Sequence, residues 1–289
     1  MILREALQST TKTLHKAGIA DAFVEAELLL SHVLGMSKTR LYTESERGLT
    51  SVEIEQLCQL VRRRLDHEPA AYILGHCEFY GIDFCIDYRA LVPRPETELL
   101  VEKAVELAQR ISRPGKQITI ADIGTGCGAI AISLALALPQ AKIYATDVSA
   151  SALQVAQVNC RHHGVDSQVK LLHGNLLEPL YQLVDMIVAN LPYIKDCEFK
   201  DLSPEIRDYE PAVALAGGED GLDKIQQILD QIPGKLSYGA CFLLEIGQGQ
   251  GKMVSSLIKN YFPKASIELI SDLGGIERVV KVVLQEGVK

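Results

Sequence analysis

The sequence lacks three features that would indicate other classes of protein. None of its 7 cysteines is spaced as Cys-x-x-Cys, which argues against a zinc site or a disulfide framework and favours reduced thiols in a cytoplasm. Basic residues are not in excess, since 29 Lys and Arg oppose 37 Asp and Glu for a net charge of -8, so nucleic-acid binding is not expected. No long apolar run or signal-peptide pattern occurs either, so no membrane span and no secretion are predicted.

The spacing of apolar residues divides the chain into three parts. Residues 1–75 have helical spacing throughout, which predicts a small all-helical N-terminal domain. Residues 76–92 contain short β-like pieces, EFYGIDFCID and RALV, and predict a β-hairpin linker. In residues 93–289 strands and helices alternate, which requires crossover connections and therefore a largely parallel sheet with helices on both faces. The last two strands are joined by a short turn and are expected to pair as an antiparallel hairpin.

One helix in the N-terminal part has a clear start signal. Thr50 and Glu53 have the spacing of a capping box, which predicts that a helix begins near Ser51. Three consecutive arginines, Arg62, Arg63 and Arg64, follow later in this helix. We interpret them as a solvated helix face, although they could also contact an acidic partner.

A glycine-rich turn follows the first strand of the third part. In ITIADIGTGCGAIA the turn runs through Gly124, Thr125, Gly126, Cys127 and Gly128 and leads into a helix. Glycines permit a tight turn and let the backbone approach a ligand at the helix N-terminus. Because the same spacing also satisfies a relaxed NAD-binding fingerprint, and because a turn without ligand is the structural alternative, the turn alone does not specify the cofactor.

Three polar residues near predicted strand ends could bind a nucleoside cofactor, and one of them, Asp122, favours S-adenosylmethionine over NAD. Asp147 ends the second strand, about twenty residues after the glycines, where a carboxylate can accept both hydroxyls of a ribose. Asp122 lies next to the turn, where it could bind the methionine ammonium of S-adenosylmethionine but would repel the pyrophosphate of NAD. Asn175 follows the third strand and could contact the adenine edge, although a structural turn asparagine fits that position equally well.

The stretch LVDMIVANLPYI contains the candidate methyl-acceptor site. Its strand stops at Asn190, followed by Leu191, Pro192 and Tyr193, and ligands of open α/β sheets bind outside such strand ends. The Asn190 side-chain oxygen and the Leu191 carbonyl can each accept one N–H of a planar NH2 group, which aims the nitrogen lone pair at a methyl donor. Pro192 restricts the preceding residue to extended geometry, and the Tyr193 ring can support a planar group. In-line placement then supplies the catalysis without a metal or a covalent intermediate.

These motifs resemble the HemK/PrmC family of protein-(glutamine-N5) methyltransferases. The resemblance covers nearly the whole chain and includes YILGHCEFYGIDF, LVPRPETELLVE, DIGTGCGAIA, NLPYI and YEPAVALAGGEDGL. It implies a seven-stranded Rossmann-like methyltransferase domain that uses S-adenosylmethionine, and an N-terminal helical domain that docks the substrate protein. It also implies methylation of the glutamine side chain in the Gly-Gly-Gln motif of peptide chain release factors. By this resemblance the glycine turn, Asp147 and Asn190 contact the cofactor, and Asn190 through Tyr193 contact the glutamine.

Two positions depart from that family, and other functions stay open. Where this chain has Leu191, the family usually has proline, and where it has Asn175, the family often has an acidic residue. Since the Leu191 carbonyl is retained, we expect activity to be lowered but not lost. The alternatives are a ribosomal-protein glutamine methyltransferase, a DNA adenine-N6 methyltransferase, a non-catalytic cofactor-binding module and an NAD oxidoreductase.

Overall fold

The computed structural model describes residues 1–111 and 115–284. In this part of the chain the helices are α1 (Leu3–Lys16), α2 (Ala22–Leu34), α3 (Lys38–Thr43), α4 (Ser51–Leu65), α5 (Ala70–Leu74), α6 (Glu98–Ile111), α7 (Ala129–Ala137), α8 (Ala150–His162), α9 (Pro204–Tyr209), α10 (Asp223–Gln231) and α11 (Gly251–Tyr261). The strands are β1 (His76–Phe79), β2 (Ile82–Cys85), β3 (Thr119–Ile123), β4 (Lys142–Asp147), β5 (Val169–His173), β6 (Val184–Ala189), β7 (Ile194–Lys195), β8 (Ala216–Gly218), β9 (Leu236–Glu245), β10 (Ser266–Ser271) and β11 (Glu277–Val283). Across the same residues, no helix is both long and apolar enough to cross a membrane.

The chain forms two compact units. One comprises Met1–His76 with Ser203–Tyr209, and the other Cys77–Leu202 with Glu210–Lys289. The first unit therefore includes α9, which no sequence pattern had assigned to the N-terminal part. The division of the chain at residues 75 and 92, and the role of residues 76–92 as a linker, stay predictions.

The helical unit is built around a leucine-rich core. Its buried side chains come from all five N-terminal helices and include Leu3, Leu14, Leu29, Leu30, Leu41, Leu57 and Ile73. The predicted start of α4 is confirmed, because the Glu53 amide donates to the Thr50 hydroxyl over 3.2 Å and the Thr50 amide donates to the Glu53 carboxylate over 2.8 Å. These two bonds satisfy backbone donors that the first helical turn leaves without partners.

The interpretation of the three arginines as a solvated face is wrong for one of them. Arg62 and Arg63 are exposed, but only 4% of Arg64 is accessible to solvent. The Arg64 guanidinium donates to Glu25 over 2.6 Å and to Glu205 over 2.7 Å. Glu205 lies on α9, 141 residues after Arg64 in the sequence. Helical periodicity could not reveal a contact between residues so far apart.

A seven-stranded sheet forms the centre of the second unit, with the strand order β10-β11-β9-β6-β3-β4-β5. The central pairs are parallel, whereas β11 pairs antiparallel with both β9 and β10. This confirms the predicted α/β sheet with one reversed strand and the predicted C-terminal hairpin. The segments EFYGIDFC form β1 and β2, which pair as a separate two-stranded sheet, but the predicted RALV strand at residues 89–92 is absent.

The register of the sheet brings the ends of its parallel strands together. Ile123 at the end of β3 pairs with Thr146 on one side and Ala189 on the other, and Ala189 pairs with Leu244 of β9. The residues that come next along the four strands therefore lie at the same edge of the sheet. They are Gly124, Asp147, Asn190 and Glu245. Crossover connections leave this edge open, which is where ligands bind in such folds.

Candidate active site

A cavity of about 170 Å³ opens at this edge of the sheet. Among the predicted site residues, those on its wall are Gly124, Gly126, Asp147, Asn175, Asn190, Leu191 and Pro192. The remaining wall comes from the loop at residues 89–91, residues 148–152 at the start of α8, Leu176, the segment at residues 211–214, and Lys224 in α10. The structure thus brings the glycine turn, the second strand end and the Asn-Leu-Pro segment together around one cavity.

Four other predicted cofactor residues lie behind that wall. Thr125 and Cys127 are buried, and the Thr125 hydroxyl donates to Asp122 over 2.6 Å. Gly128 is required for packing, since a Cβ there would lie 3.3 Å from the Cβ of Ala156 in α8 and its φ is +88°. These residues shape the turn, whereas Gly124 and Gly126 present it to the cavity.

Asp122 lies buried beneath the glycine turn. Its carboxylate is fully buried, and its Oδ2 accepts from the Thr125 hydroxyl and from the Ala131 amide. Its Oδ1 is buried without a hydrogen-bond partner, and burial raises the pKa of Asp122 to about 7. An unpartnered buried acceptor is costly unless a ligand supplies a donor. The contact of Asp122 with the ammonium group of S-adenosylmethionine stays a prediction, because the Asp122 side chain lies behind the cavity wall.

Asp147 is held rigidly on the cavity wall by two backbone donors. Its Oδ2 accepts from the Gly126 amide and its Oδ1 from the Ser149 amide, each over 2.8 Å. Burial is the largest influence on the Asp147 carboxyl and raises its pKa. Each carboxylate oxygen can accept a further hydrogen bond, as both hydroxyls of a ribose would require. Asn175 also lies on the wall, where its amide donates to Glu178 over 3.1 Å.

The Asn190 side chain is anchored by its amide nitrogen. Its Nδ2 donates to the Thr97 hydroxyl over 3.0 Å. The Glu245 carboxylate at the end of the neighbouring strand β9 is buried, and its Oε2 has no hydrogen-bond partner. Burial raises the pKa of Glu245 to about 7. With its nitrogen used in this way, Asn190 has its Oδ1 left to accept from a ligand.

The structure does not place the Tyr193 ring on the cavity wall. The ring packs next to Gly247, where a Cβ would lie 3.0 Å from its Cδ2, and burial raises the pKa of its hydroxyl to about 12. The Tyr193 carbonyl is fixed instead by Gln250, whose Nε2 donates to it over 3.3 Å and to Gly221 over 3.2 Å. Strand β7, which follows Tyr193, pairs parallel with β8.

The glycines of LAGGEDGL let this second segment pack against the acceptor motif. A Cβ on Gly217 would lie 2.8 Å from the Tyr193 backbone, and one on Gly221 would lie 2.4 Å from the Tyr193 carbonyl oxygen. In addition, the buried Glu210 carboxylate accepts from Arg94 over 2.6 Å, which joins the YEP and PRPETE segments. The segments that carry the resemblance are therefore in contact.

Sequence reasoning missed three residues beside the acceptor motif: Thr97 and Gln250, which bond to it, and the buried Glu245 at the end of β9. Glu245 could have been found by the rule that identified Asp147 and Asn190, because it also ends a parallel strand. Thr97 lies in a 3-10 turn at Pro95–Thr97 before α6, within the LVPRPETELLVE segment that carries the family resemblance. Gln250 follows a glycine turn and has no comparable signal.

The fold, the glycine turn and the acid that ends β4 define a Rossmann-like methyltransferase that uses S-adenosylmethionine as its methyl donor. The family model described as PrmC N-terminal domain matches residues 5–75, and the model described as Methyltransferase small domain matches residues 97–205. Two proteins named release factor glutamine methyltransferase are similar over nearly the whole chain. The one from Koribacter versatilis is 39% identical over 97% of this chain and 98% of that protein, and the one from Bacillus anthracis is 35% identical over the same shares. The chain belongs to the release factor glutamine methyltransferase family.

Solved structures show the same fold at low identity. The catalytic domain of human METTL16, solved in complex with an RNA hairpin, is 15% identical, with a TM-score of 0.54, over 82% of this chain and 83% of that chain. A ribosomal protein L11 methylase from Lactobacillus delbrueckii is 19% identical, with a TM-score of 0.50, over 70% of this chain and 84% of that chain. These likenesses confirm the predicted fold class.

Proposed function

We propose that this enzyme methylates the side-chain amide nitrogen, N5, of the glutamine in the Gly-Gly-Gln motif of peptide chain release factors. The observation that carries the proposal is the position of Asn190 and Leu191 on the cavity wall beside Gly124 and Asp147. The full-length similarity to release factor glutamine methyltransferases supports the choice of glutamine and of release factors. A cytoplasmic location is proposed with it, because release factors act on ribosomes.

The chemistry follows from the weakness of an amide as a nucleophile. Its nitrogen lone pair is delocalised into the carbonyl group, so the NH2 group must be pulled out of conjugation before it can attack. We assign the Asn190 Oδ1 and the Leu191 carbonyl as the two acceptors that hold the two N–H bonds. Bound S-adenosylmethionine supplies an electrophilic methyl group and a neutral thioether leaving group. Formation of the N–C bond would break the S–C bond of the donor, and one amide proton would pass to water to leave a neutral N-methyl amide.

Residues of the chain divide this work between them. Asp147 and Asp122 are assigned to bind the ribose hydroxyls and the ammonium, which fixes the direction of the methyl group. Placement of this kind can lower the barrier by several kcal/mol, on the order of 7–11 in the best intramolecular cases. Leu191 lacks the rigidity of proline, but its side chain is 4% exposed in the core, and Gln250 fixes the carbonyl two residues later. Burial of Leu191 and the Gln250 bond therefore restrict the backbone of this segment in place of a proline ring.

The direct test is the variant Asn190→Ala with purified release factor as substrate. We expect turnover to fall about a hundredfold or more, since a transition-state acceptor is lost, while the Kd for S-adenosylhomocysteine changes little. Methyl transfer from labelled donor, with mass spectrometry of the product peptide, locates the methyl group. Label on bare DNA or on a ribosomal protein instead of the release factor glutamine would contradict the proposal.

A further inference from the structure

One part of the cavity wall, the segment at residues 211–214, is not held in place by burial. Pro211, Val213 and Ala214 line the cavity, yet no residue from 211 to 214 is buried, and Val213 is 53% exposed. The segment forms a 3-10 turn, in which the Ala214 amide donates to the Pro211 carbonyl over 2.8 Å. A segment with so little apolar burial has low local stability. Its position must therefore come from the residues at its two ends.

The C-terminal end of the 211–214 segment is fixed to the acceptor motif. Leu215, the next residue, is buried, and its carbonyl accepts from the Ile194 amide over 3.1 Å. Ile194 directly follows Tyr193 and pairs with Ala216 where β7 meets β8. This end of the segment therefore has the same support as the Asn-Leu-Pro-Tyr motif.

The N-terminal end of the segment is fixed by a buried ion pair. Glu210, directly before Pro211, has a side chain that is 1% exposed, and its two oxygens accept from one nitrogen of Arg94 over 2.7 and 2.6 Å. The Arg94 carbonyl accepts from the Thr97 amide over 3.0 Å, and the Thr97 hydroxyl accepts from the Asn190 Nδ2. The ion pair therefore joins the start of the wall segment to the turn that anchors the acceptor asparagine.

We propose that Arg94 and Glu210 are positioning residues for S-adenosylmethionine, because their ion pair holds the 211–214 segment in place as a wall of the donor cavity. A carboxylate as buried as Glu210 is strongly unfavourable without its cation. If the cation is removed, Glu210 moves towards solvent and displaces Pro211, the next residue in the chain. A ligand must then order the loosened wall again, which weakens its binding. This role does not depend on which protein accepts the methyl group.

The binding test measures the Kd for S-adenosylhomocysteine by calorimetry in the full-length enzyme and three variants. Arg94→Gln removes the cation, Glu210→Gln removes the negative charge but keeps the shape, and Arg94→Lys keeps a cation. We expect both glutamine variants to raise the Kd about tenfold or more, because ordering the loosened wall opposes binding. One nitrogen of Arg94 contacts both Glu210 oxygens, so a lysine ammonium can take its place. The Kd of Arg94→Lys should therefore stay within about threefold of the wild-type value.

A double variant and a control separate the ion pair from general effects on the fold. If Arg94 and Glu210 act as one pair, the variant with both glutamines should bind no more weakly than the weaker single variant. The control is Lys116→Gln, because Lys116 pairs with the Asp185 carboxylate over 2.6 Å and neither residue is among the described residues that line the cavity. Lys116→Gln should leave the Kd unchanged, whatever its effect on the Tm.

Amide hydrogen exchange gives a second readout that needs neither ligand nor substrate. The Ala214 and Leu215 amides donate within the wall turn, so their exchange reports whether the turn stays ordered. In Arg94→Gln and Glu210→Gln we expect them to exchange about tenfold faster, while the amides of α7 exchange as in the wild type. A wild-type Kd in both glutamine variants would overturn the positioning role. Faster exchange throughout the sheet and helices would also overturn it, because the pair would then only stabilise the fold.

Discussion

At the scale of single residues, two carboxylates behave differently although both are predicted to bind the cofactor. Asp147 lies on the cavity wall with both oxygens bonded to backbone amides. Asp122 lies beneath the turn with one oxygen satisfied and the other without a partner. Burial without full pairing is the reason that the pKa of Asp122 is raised to about 7. Its charge state should therefore respond to a bound cation.

We predict that cofactor binding depends on pH through Asp122. A bound ammonium favours the ionised carboxylate, so binding should strengthen as the pH rises through about 7 and should release protons below that pH. Calorimetry with S-adenosylhomocysteine in buffers of different ionisation enthalpy measures both effects. In Asp122→Asn the affinity should be weaker and its pH dependence flatter. Equal pH dependence in the two proteins would remove Asp122 from the ammonium site.

At the scale of secondary-structure elements, the acceptor motif is fixed by the short β7–β8 pair and its glycines. Gly221 has φ of +77°, and a Cβ there would lie 2.4 Å from the Tyr193 carbonyl oxygen. Any side chain at this position must push the Asn-Leu-Pro-Tyr segment away from Gln250. The segment LAGGEDGL is part of the family resemblance, but only the paired strands show why its glycines must be small.

Gly221→Ala should therefore damage catalysis more than stability. We expect kcat to fall about tenfold or more, because a displacement near 1 Å of a positioning group can be that costly, with the Kd for S-adenosylhomocysteine nearly unchanged. Gly234→Ala is a matched control, because its φ is also positive at +78° but nothing lies within 4 Å of its Cβ. Comparable turnover in the two variants would show that close approach to Tyr193 is unimportant.

At the scale of the whole molecule, the chain returns to the helical unit after passing through the acceptor motif. Residues Ser203–Tyr209 belong to that unit, and the buried Arg64 binds both Glu25 and Glu205. The Tyr209 hydroxyl also donates to the Asp66 carbonyl over 2.7 Å. Distant parts of the sequence are thus held in one unit by charge pairs and hydrogen bonds, which apolar periodicity does not report.

Arg64→Ala should destabilise the protein by about 3 kcal/mol, because it leaves two carboxylates without their shared partner, one of them partly buried. Arg63→Ala is the control, since Arg63 is exposed and pairs with Glu68 at the surface, where such pairs contribute roughly 1 kcal/mol or less. Denaturant unfolding followed by far-UV circular dichroism measures both. Similar losses in the two variants would show that burial of Arg64 has no energetic consequence.

The sequence by itself determined what local spacing encodes. Helical periodicity, a capping box, a glycine turn after a strand, and polar residues at strand ends follow from backbone geometry. They predicted the helical N-terminal part, the α/β sheet and the part of the cavity wall that strand ends and the glycine turn supply. The tertiary structure decided which polar groups meet. The bond from Asn190 to Thr97 spans 93 residues, and the pair of Arg64 with Glu205 spans 141. Such contacts depend on strand order and packing, which no short-range pattern contains.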